Sequence, residues 1–230
     1  MNLPVVLAVS DWGLAFGSIL VLLLFLVIGY VVVQGTRVQL AWRQRVDEGD
    51  VDAIQTLVGD EVARWKAARM PKGMEPSVWH GVQGAELLEV TPDSFRLSAS
   101  AEGQYALASG ERRQVSSALR EGMKLTAQLA DMAFYDIPNV MLPYVQIDIY
   151  STFRDEHGSS QQCILSTLAE RSVAAELEWD SMDAEEVVRA FGGRYALDDR
   201  GNPLPIQPDK PRTNGIPSAF YEPGDSKVED

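Results

Sequence analysis

The clearest pattern along the chain is an unbroken apolar stretch near its N-terminus. Residues 14–33 read LAFGSILVLLLFLVIGYVVV and contain no charged side chain. As a helix rising about 1.5 Å per residue, this stretch covers the roughly 30 Å hydrocarbon core of a bilayer. A cleaved signal peptide would need a basic start, a shorter apolar region and a small-residue cleavage site, and the sequence shows none of these. We therefore predict an uncleaved transmembrane helix within residues 1–35.

Charged residues flank this stretch asymmetrically. Arg37, Arg43 and Arg45 follow it closely. Before it the chain has no Lys or Arg and a single charged side chain, that of Asp11. Because basic residues beside a span stay in the cytoplasm, we predict one crossing of the inner (cytoplasmic) membrane, with the N-terminus outside and the C-terminal domain in the cytoplasm. Trp12 lies near the outer end of the span, where an indole ring suits the headgroup level.

A helical pattern continues after the span. Apolar residues recur there at steps of three or four positions, at Val51, Ile54, Val58, Val62 and Trp65. Gly49 and Asp50 indicate a break and a new N-cap, so we predict two helices rather than one rod. The apolar face of the second helix should be buried. Residues 36–70 are thus interpreted as an amphipathic helical connector.

At the start of residues 71–195 the spacing of apolar residues changes from the helical period to the alternation of strands. The segments AELLEV and SFRLSASAEGQYAL read as two strands joined by a tight turn at Pro92-Asp93, while YVQIDIYSTF and QQCILSTLAE flank DEHGSS in the pattern of a hairpin with a longer loop. Residues 119–133 return to helical spacing, and Asp183 is placed to cap the helix AEEVVRAF. We predict a soluble α+β domain in which helices pack on a small antiparallel sheet.

Residues 134–150 concentrate aromatic residues, methionine and two prolines between a predicted helix and a predicted strand. Such a segment forms either a corner of the core or an exposed contact patch. Of these two interpretations we favour the corner of the core.

Residues 196–230 are rich in proline and show no periodic spacing of apolar residues. Six prolines occur there, at Pro203, Pro205, Pro208, Pro211, Pro217 and Pro223. We predict an extended, acidic tail, because proline restricts the chain without building a core. Phe220 and Tyr221 are the candidate anchors of this tail on a partner protein, since adjacent aromatic side chains supply much of the binding energy of many interfaces.

The charge and residue composition of the chain limit the partners and the chemical sites that it can have. A net charge of −13 disfavours nucleic acid and anionic lipid as main partners of the domain. The single cysteine, Cys163, excludes an internal disulfide, and His80 beside a predicted strand and His157 in a predicted turn lack a histidine partner. The phosphate-binding patterns GxxxxGK[ST] and GxGxxG do not occur. We predict no catalytic residues, no metal site and no cofactor.

Two functional classes fit these features. The leading hypothesis is a non-catalytic accessory or scaffold subunit that stabilises a larger membrane protein complex through its span, domain and tail. Its partners would be other membrane-protein subunits and the lipid bilayer, and not nucleic acid. The alternative is a membrane-tethered ligand-binding or sensory module, because helices on a curved sheet can enclose an apolar pocket. Co-purifying chains would favour the first hypothesis, and a co-purifying small molecule the second.

Overall fold

The computed structural model describes residues 11–108, 111–156, 158–179 and 181–208. The architecture is mixed helix and sheet, with one long apolar N-terminal helix and small sheets. The chain divides into two compact units, the first ending at Gln44 and the second beginning at Arg45. We describe each unit by itself.

Helix α1 (Asp11–Asp47) carries the apolar stretch. Its large apolar side chains from Phe16 to Val33 are each between 49% and 73% exposed. With 37 residues, the helix is longer than the roughly 20 residues that a bilayer core requires. In the part of the chain that the structure describes, it is the one helix long and apolar enough to cross a membrane.

The predicted break after this helix is confirmed. Gly49 has a φ of +75°, and Asp50 caps helix α2 (Val51–Ala67) by accepting a hydrogen bond of 3.0 Å from the backbone N–H of Ala53. Arg45 forms an ion pair of 2.6 Å with the same carboxylate. The apolar face of α2 is buried as expected, at Ile54, Val58, Val62 and Trp65. The core of the second unit therefore extends N-terminal to residue 71.

A short helix that we did not predict, α3 (Pro76–Gln83), comes next. Pro76 opens it at a position where the backbone N–H has no intrahelical partner and a proline is tolerated. His80, which we expected beside a strand, lies on an exposed part of this helix. The sequence PSVWHGVQ is too short to show a helical period clearly, and Pro71 and Gly73 before it resemble a loop.

Two hairpins follow. Strands β1 (Glu86–Val90) and β2 (Ser94–Ser100) are antiparallel, as predicted, but the predicted second strand is wrong beyond Ser100, since the chain turns away at Gly103 and the following residues join another sheet. Strands β3 (Gln104–Ala108) and β4 (Glu111–Ser116) form a separate two-stranded sheet. Helix α4 (Ala118–Tyr135) then begins at Ser117, whose hydroxyl accepts a hydrogen bond from the backbone N–H of Arg120.

The predicted hairpin is confirmed as β5 (Tyr144–Asp155) and β6 (Gly158–Glu170), but the longer loop expected at DEHGSS is wrong, because the strands stay paired as far as Asp155 and Gly158. The main sheet has the order β1-β2-β5-β6. Strands β2 and β5 are parallel, with Leu97 opposite Ile147, so the prediction of an antiparallel sheet is wrong at this pair. The physical reason is α4, which returns the chain along the sheet so that β5 enters in the direction of β2.

Short elements complete the described part of the chain, namely helices α5 (Arg171–Ala174) and α6 (Ala184–Ala190) and strands β7 (Ala196–Leu197) and β8 (Pro203–Leu204). The predicted cap at Asp183 is confirmed and forms a complete capping box with Glu186. The part of the expected tail from residue 196 to 206 is not simply extended. It forms the small β7–β8 hairpin, and the Ile206 N–H donates to the carbonyl of Cys163 at 2.8 Å.

The core lies between the helices and one face of the main sheet. Helix α4 packs on β5 and β6, α2 packs on β1, and α6 packs on α4. Two glycines permit close contact, because a Cβ at Gly81 would lie 2.4 Å from Leu125 Cδ2 and a Cβ at Gly122 would lie 3.1 Å from Ile149 Cγ2. The sheet contributes the following buried side chains: Phe95, Leu97, Ala99, Val145, Ile147, Ile149 and Leu165.

Candidate functional site

The opposite face of the main sheet carries polar side chains. In β5, Gln146, Asp148 and Tyr150 alternate with the apolar residues of the core face. The strand register places Arg96 of β2 opposite Gln146, and Ser166 of β6 opposite Asp148. Five polar residues from three strands therefore share the centre of this face.

Asp148 is the centre of this polar cluster. Arg96 Nε donates to Oδ2 and Ser166 Oγ donates to Oδ1, each at 2.6 Å. Gln146 Nε2 lies 3.2 Å from Oδ1. The Asp148 side chain is 0% exposed and that of Arg96 is 18% exposed. Because a buried carboxyl group needs hydrogen-bond donors in place of water, these three donors compensate the burial of Asp148 within the sheet.

The nearby thiol and phenol are held in their neutral forms. Burial, together with the charge of Asp148, raises the pKa of Cys163 to about 11. Burial and Asp148 also raise the pKa of Tyr150. Since the thiolate is the reactive form of cysteine, Cys163 is a poor nucleophile near neutral pH. The cluster therefore stabilises the sheet and does not present an activated nucleophile.

A second buried carboxylate joins the β3–β4 hairpin to the helices. Glu121 of α4 is 3% exposed. Its Oε2 accepts hydrogen bonds from Ser77 Oγ at 2.8 Å and Gln104 Nε2 at 2.6 Å. Its Oε1 accepts from Ser116 Oγ at 2.7 Å and from Lys124 Nζ at 3.2 Å. One carboxylate thus connects α3, both strands of the hairpin and α4.

The hydrogen bonds of Glu121 determine its titration. Burial acts to raise the pKa of this carboxyl group, but the donated hydrogen bonds outweigh burial and lower the pKa from its ordinary value of 4.5. Lys124 also pairs with Glu75 at 2.6 Å, and that hydrogen bond raises the pKa of Lys124. The ionised form of Glu121 therefore stabilises the folded state.

The segment 134–150 lies partly in the core. Phe134, Val140 and Leu142 are buried, as we favoured, whereas Tyr135 is 54% and Met141 is 59% exposed. The guanidinium of Arg171 donates hydrogen bonds to the carbonyl oxygens of the three buried residues, at 2.8, 3.1 and 3.0 Å respectively. It also lies 4.9 Å from the centre of the Phe134 ring. One arginine therefore holds the connection between α4 and β5 in a single conformation.

A surface groove of about 330 Å³ lies between α3, α4 and α6. Its apolar lining consists of Met74, Val78, Ala127, Trp179, Met182, Ala184 and Val187. Its polar lining consists of Glu75, Lys124, Gln128 and Asp131. A groove that combines apolar and charged side chains in this way can accept a side chain or a short helix from a partner.

The residues predicted to set the topology fall on α1. Arg37 and Arg43 are exposed there, whereas Arg45 is engaged with the cap residue Asp50. Trp12 lies in the first turns of α1, and its side chain is outside the described part of the structure.

The predicted tail anchors, Phe220 and Tyr221, lie outside the described residues, as does His157. The structure therefore does not place His157 relative to Cys163. Within the described ranges, no three His, Cys, Asp or Glu side chains come together in a way that could hold a metal ion.

Sequence reasoning missed three residues that organise the fold: Asp148, Glu121 and Arg171. A signal was present for Asp148, because aspartate is disfavoured in strands and here it stands between Ile147 and Ile149. Glu121 and Arg171 had no comparable signal, since a single charge on a helix or at a strand end is usually solvated.

Comparison with known proteins gives no match to this chain among protein-family models, curated proteins or solved structures.

The Glu121 network predicts an acid-dependent loss of stability. Since the pKa of Glu121 is lowered, its contribution is complete above pH 4.5 and is lost as the pH falls through the lowered pKa. Glu121→Gln should reduce the free energy of unfolding by about 1–3 kcal/mol at pH 7. The difference from the wild-type protein should shrink in acid, where the wild-type carboxylate is also protonated.

This prediction can be checked on the full chain in detergent by denaturant unfolding, followed by tryptophan fluorescence, at several pH values. Glu185→Gln is the matched control, because Glu185 pairs with Arg189 on an exposed helix surface and such pairs contribute little. An equal destabilisation by Glu121→Gln at pH 7 and in acid would contradict the proposed role of the ionised carboxylate.

Proposed function

We propose that the chain is a single-pass membrane protein whose second unit is a non-catalytic accessory or scaffold part of a larger membrane protein complex. The observation that carries this proposal is the exposure of α1, whose apolar side chains from Phe16 to Val33 are each at least 49% exposed. In water such a surface is unfavourable by about 25 cal/mol for each Å². A hydrocarbon environment removes that penalty.

The charges after the span support a cytoplasmic second unit. Arg37 and Arg43 are exposed on α1 and available to the headgroup region. Arg45 is engaged in the helix cap at Asp50. The orientation bias therefore comes mainly from the first two arginines.

The interior of the second unit supports a structural role. Its buried carboxylates, Asp148 and Glu121, accept hydrogen bonds that join separate elements, and its thiol, Cys163, is neutral near pH 7. These groups stabilise a rigid body. The groove between α3, α4 and α6 and the C-terminal tail are the surfaces that we assign to partner subunits.

The alternative is a membrane-tethered ligand-binding or sensory module. The layer between α4 and the sheet is filled by side chains of the core. A ligand would therefore bind in a surface depression, such as the one lined by Arg112 and Arg154. A small molecule that remains bound through purification would favour this alternative.

The orientation can be tested with protease added outside intact cells. We expect the second unit to be protected and a tag at the N-terminus to be digested. Arg37→Gln together with Arg43→Gln should increase the fraction of inverted molecules, because these substitutions remove the positive charge that keeps this side of the span in the cytoplasm. Arg45→Gln is the control with a smaller expected effect, since that charge is paired. Digestion of the wild-type second unit would contradict the proposed orientation.

The role of the tail in binding a partner can be tested by truncating the chain after Pro208. This truncation retains the backbone hydrogen bond between Ile206 and Cys163. We expect the truncated chain to remain folded but to lose its partner chains on extraction in mild detergent. Phe220→Ala with Tyr221→Ala should have much of the same effect, because buried aromatic anchors typically contribute about 2 kcal/mol or more each.

Val228→Ala is the control substitution within the tail, because it removes an apolar group that is not aromatic. Full retention of the partners by the truncated chain would show that the tail is not the contact, and the association would then be assigned to α1.

A further inference from the structure

A second surface depression lies beside the β3–β4 hairpin and has a different chemistry from the groove. This hollow, of about 670 Å³, is lined by Glu102, Tyr105, Arg112, Thr152 and Arg154. Two strands of the hairpin and one strand of the main sheet contribute to it. It is therefore built by residues distant in the sequence, and the Glu121 network fixes the hairpin that forms one of its walls.

The two arginines of the hollow form no ion pair with any described carboxylate. This is unexpected in a chain with 33 acidic and 20 basic residues, where a carboxylate partner is easy to supply. Arg112 instead lies over the ring of Tyr105, with its guanidinium carbon 4.2 Å from the ring centre. A guanidinium stacked in this way keeps N–H donors at its edge available for a ligand.

Among the described residues that line the hollow, Glu102 is the one acid, and its carboxylate accepts hydrogen bonds from β5. Oε1 accepts the N–H of Thr152 at 2.9 Å, and Oε2 accepts the hydroxyl of Ser151 at 3.3 Å. These bonds hold Thr152 in place. Among the described residues that line the hollow, two guanidinium groups, those of Arg112 and Arg154, therefore face one carboxylate, that of Glu102.

We propose that this hollow is a binding site for a phosphate group, carried either by a lipid headgroup or by a soluble ligand. Two guanidinium groups provide paired N–H donors, and the hydroxyl groups of Tyr105 and Thr152 provide further donors. A phosphate has enough oxygen atoms to accept from both arginines and a hydroxyl at once, whereas a carboxylate has two oxygens. The site goes beyond the scaffold role and does not depend on it.

The site can be tested with inorganic phosphate and the full chain in phosphatidylcholine nanodiscs, followed by the Nε–H NMR signals of the arginines. We expect saturable shifts of Arg112 and Arg154 that chloride at equal ionic strength does not produce. Arg112→Gln and Arg154→Gln should each weaken phosphate binding about tenfold, the size expected for a lost charge-assisted hydrogen bond.

Arg113→Gln is the matched control. Arg113 follows Arg112 in β4 and lies opposite Ala106 of β3. Its side chain therefore projects from the face of the hairpin opposite to that of Arg112. Its loss should leave phosphate binding unchanged. An equal weakening by Arg113→Gln would show diffuse charge attraction and would overturn the site, as would a phosphate response no larger than that to chloride. Thermal unfolding of each variant verifies that the fold is retained.

Nanodiscs that contain phosphatidic acid distinguish the two sources of phosphate. If a lipid headgroup is the ligand, the signals of Arg112 and Arg154 will shift in these discs without added phosphate. If the ligand is soluble, both kinds of disc will give the same phosphate titration. Either result supports the site and identifies the source, whereas the absence of a response in both kinds of disc overturns it.

Discussion

The arrangement of the main sheet depends on one carboxylate that has no exposed surface. Asp148 is compensated by Arg96 from a strand 52 residues away, at 2.6 Å. Because side chains alternate along a strand, a slip of one residue would turn Arg96 toward the apolar face and leave Asp148 without its cation. An uncompensated buried ion is unfavourable by several kcal/mol. The pair therefore favours the observed parallel register of β2 and β5 over a slip of one residue.

The rest of the second unit follows from that register. A parallel pair needs a long crossover, and α4 provides it across the apolar face of the sheet. The β3–β4 hairpin lies within the same connection but outside the main sheet, so it needs a separate attachment. Glu121 supplies this attachment by bonding Gln104 and Ser116. The hairpin then stands beside the end of β5, where Arg112 and Arg154 line one hollow.

Interactions between residues that are close in the sequence were predictable, whereas interactions between residues that are distant in the sequence were not. The caps at Asp50 and Asp183 were predicted because the capping side chain and its acceptor site are neighbours in the chain. Helix α3 was missed because its eight residues are dominated by a proline and a glycine. The parallel pair and the Asp148 cluster depend on which strands become neighbours, which periodicity does not specify. The hollow beside Arg112 has the same origin, since its residues meet only in the fold.

Our proposal that the chain is part of a membrane complex can be decided by native mass spectrometry of the chain extracted from its own membrane in mild detergent. We expect a particle that contains other membrane-protein subunits in fixed stoichiometry with this chain of 25.3 kDa. A particle with the mass of this chain alone, or of an integer multiple of it, would show that the proposal is wrong.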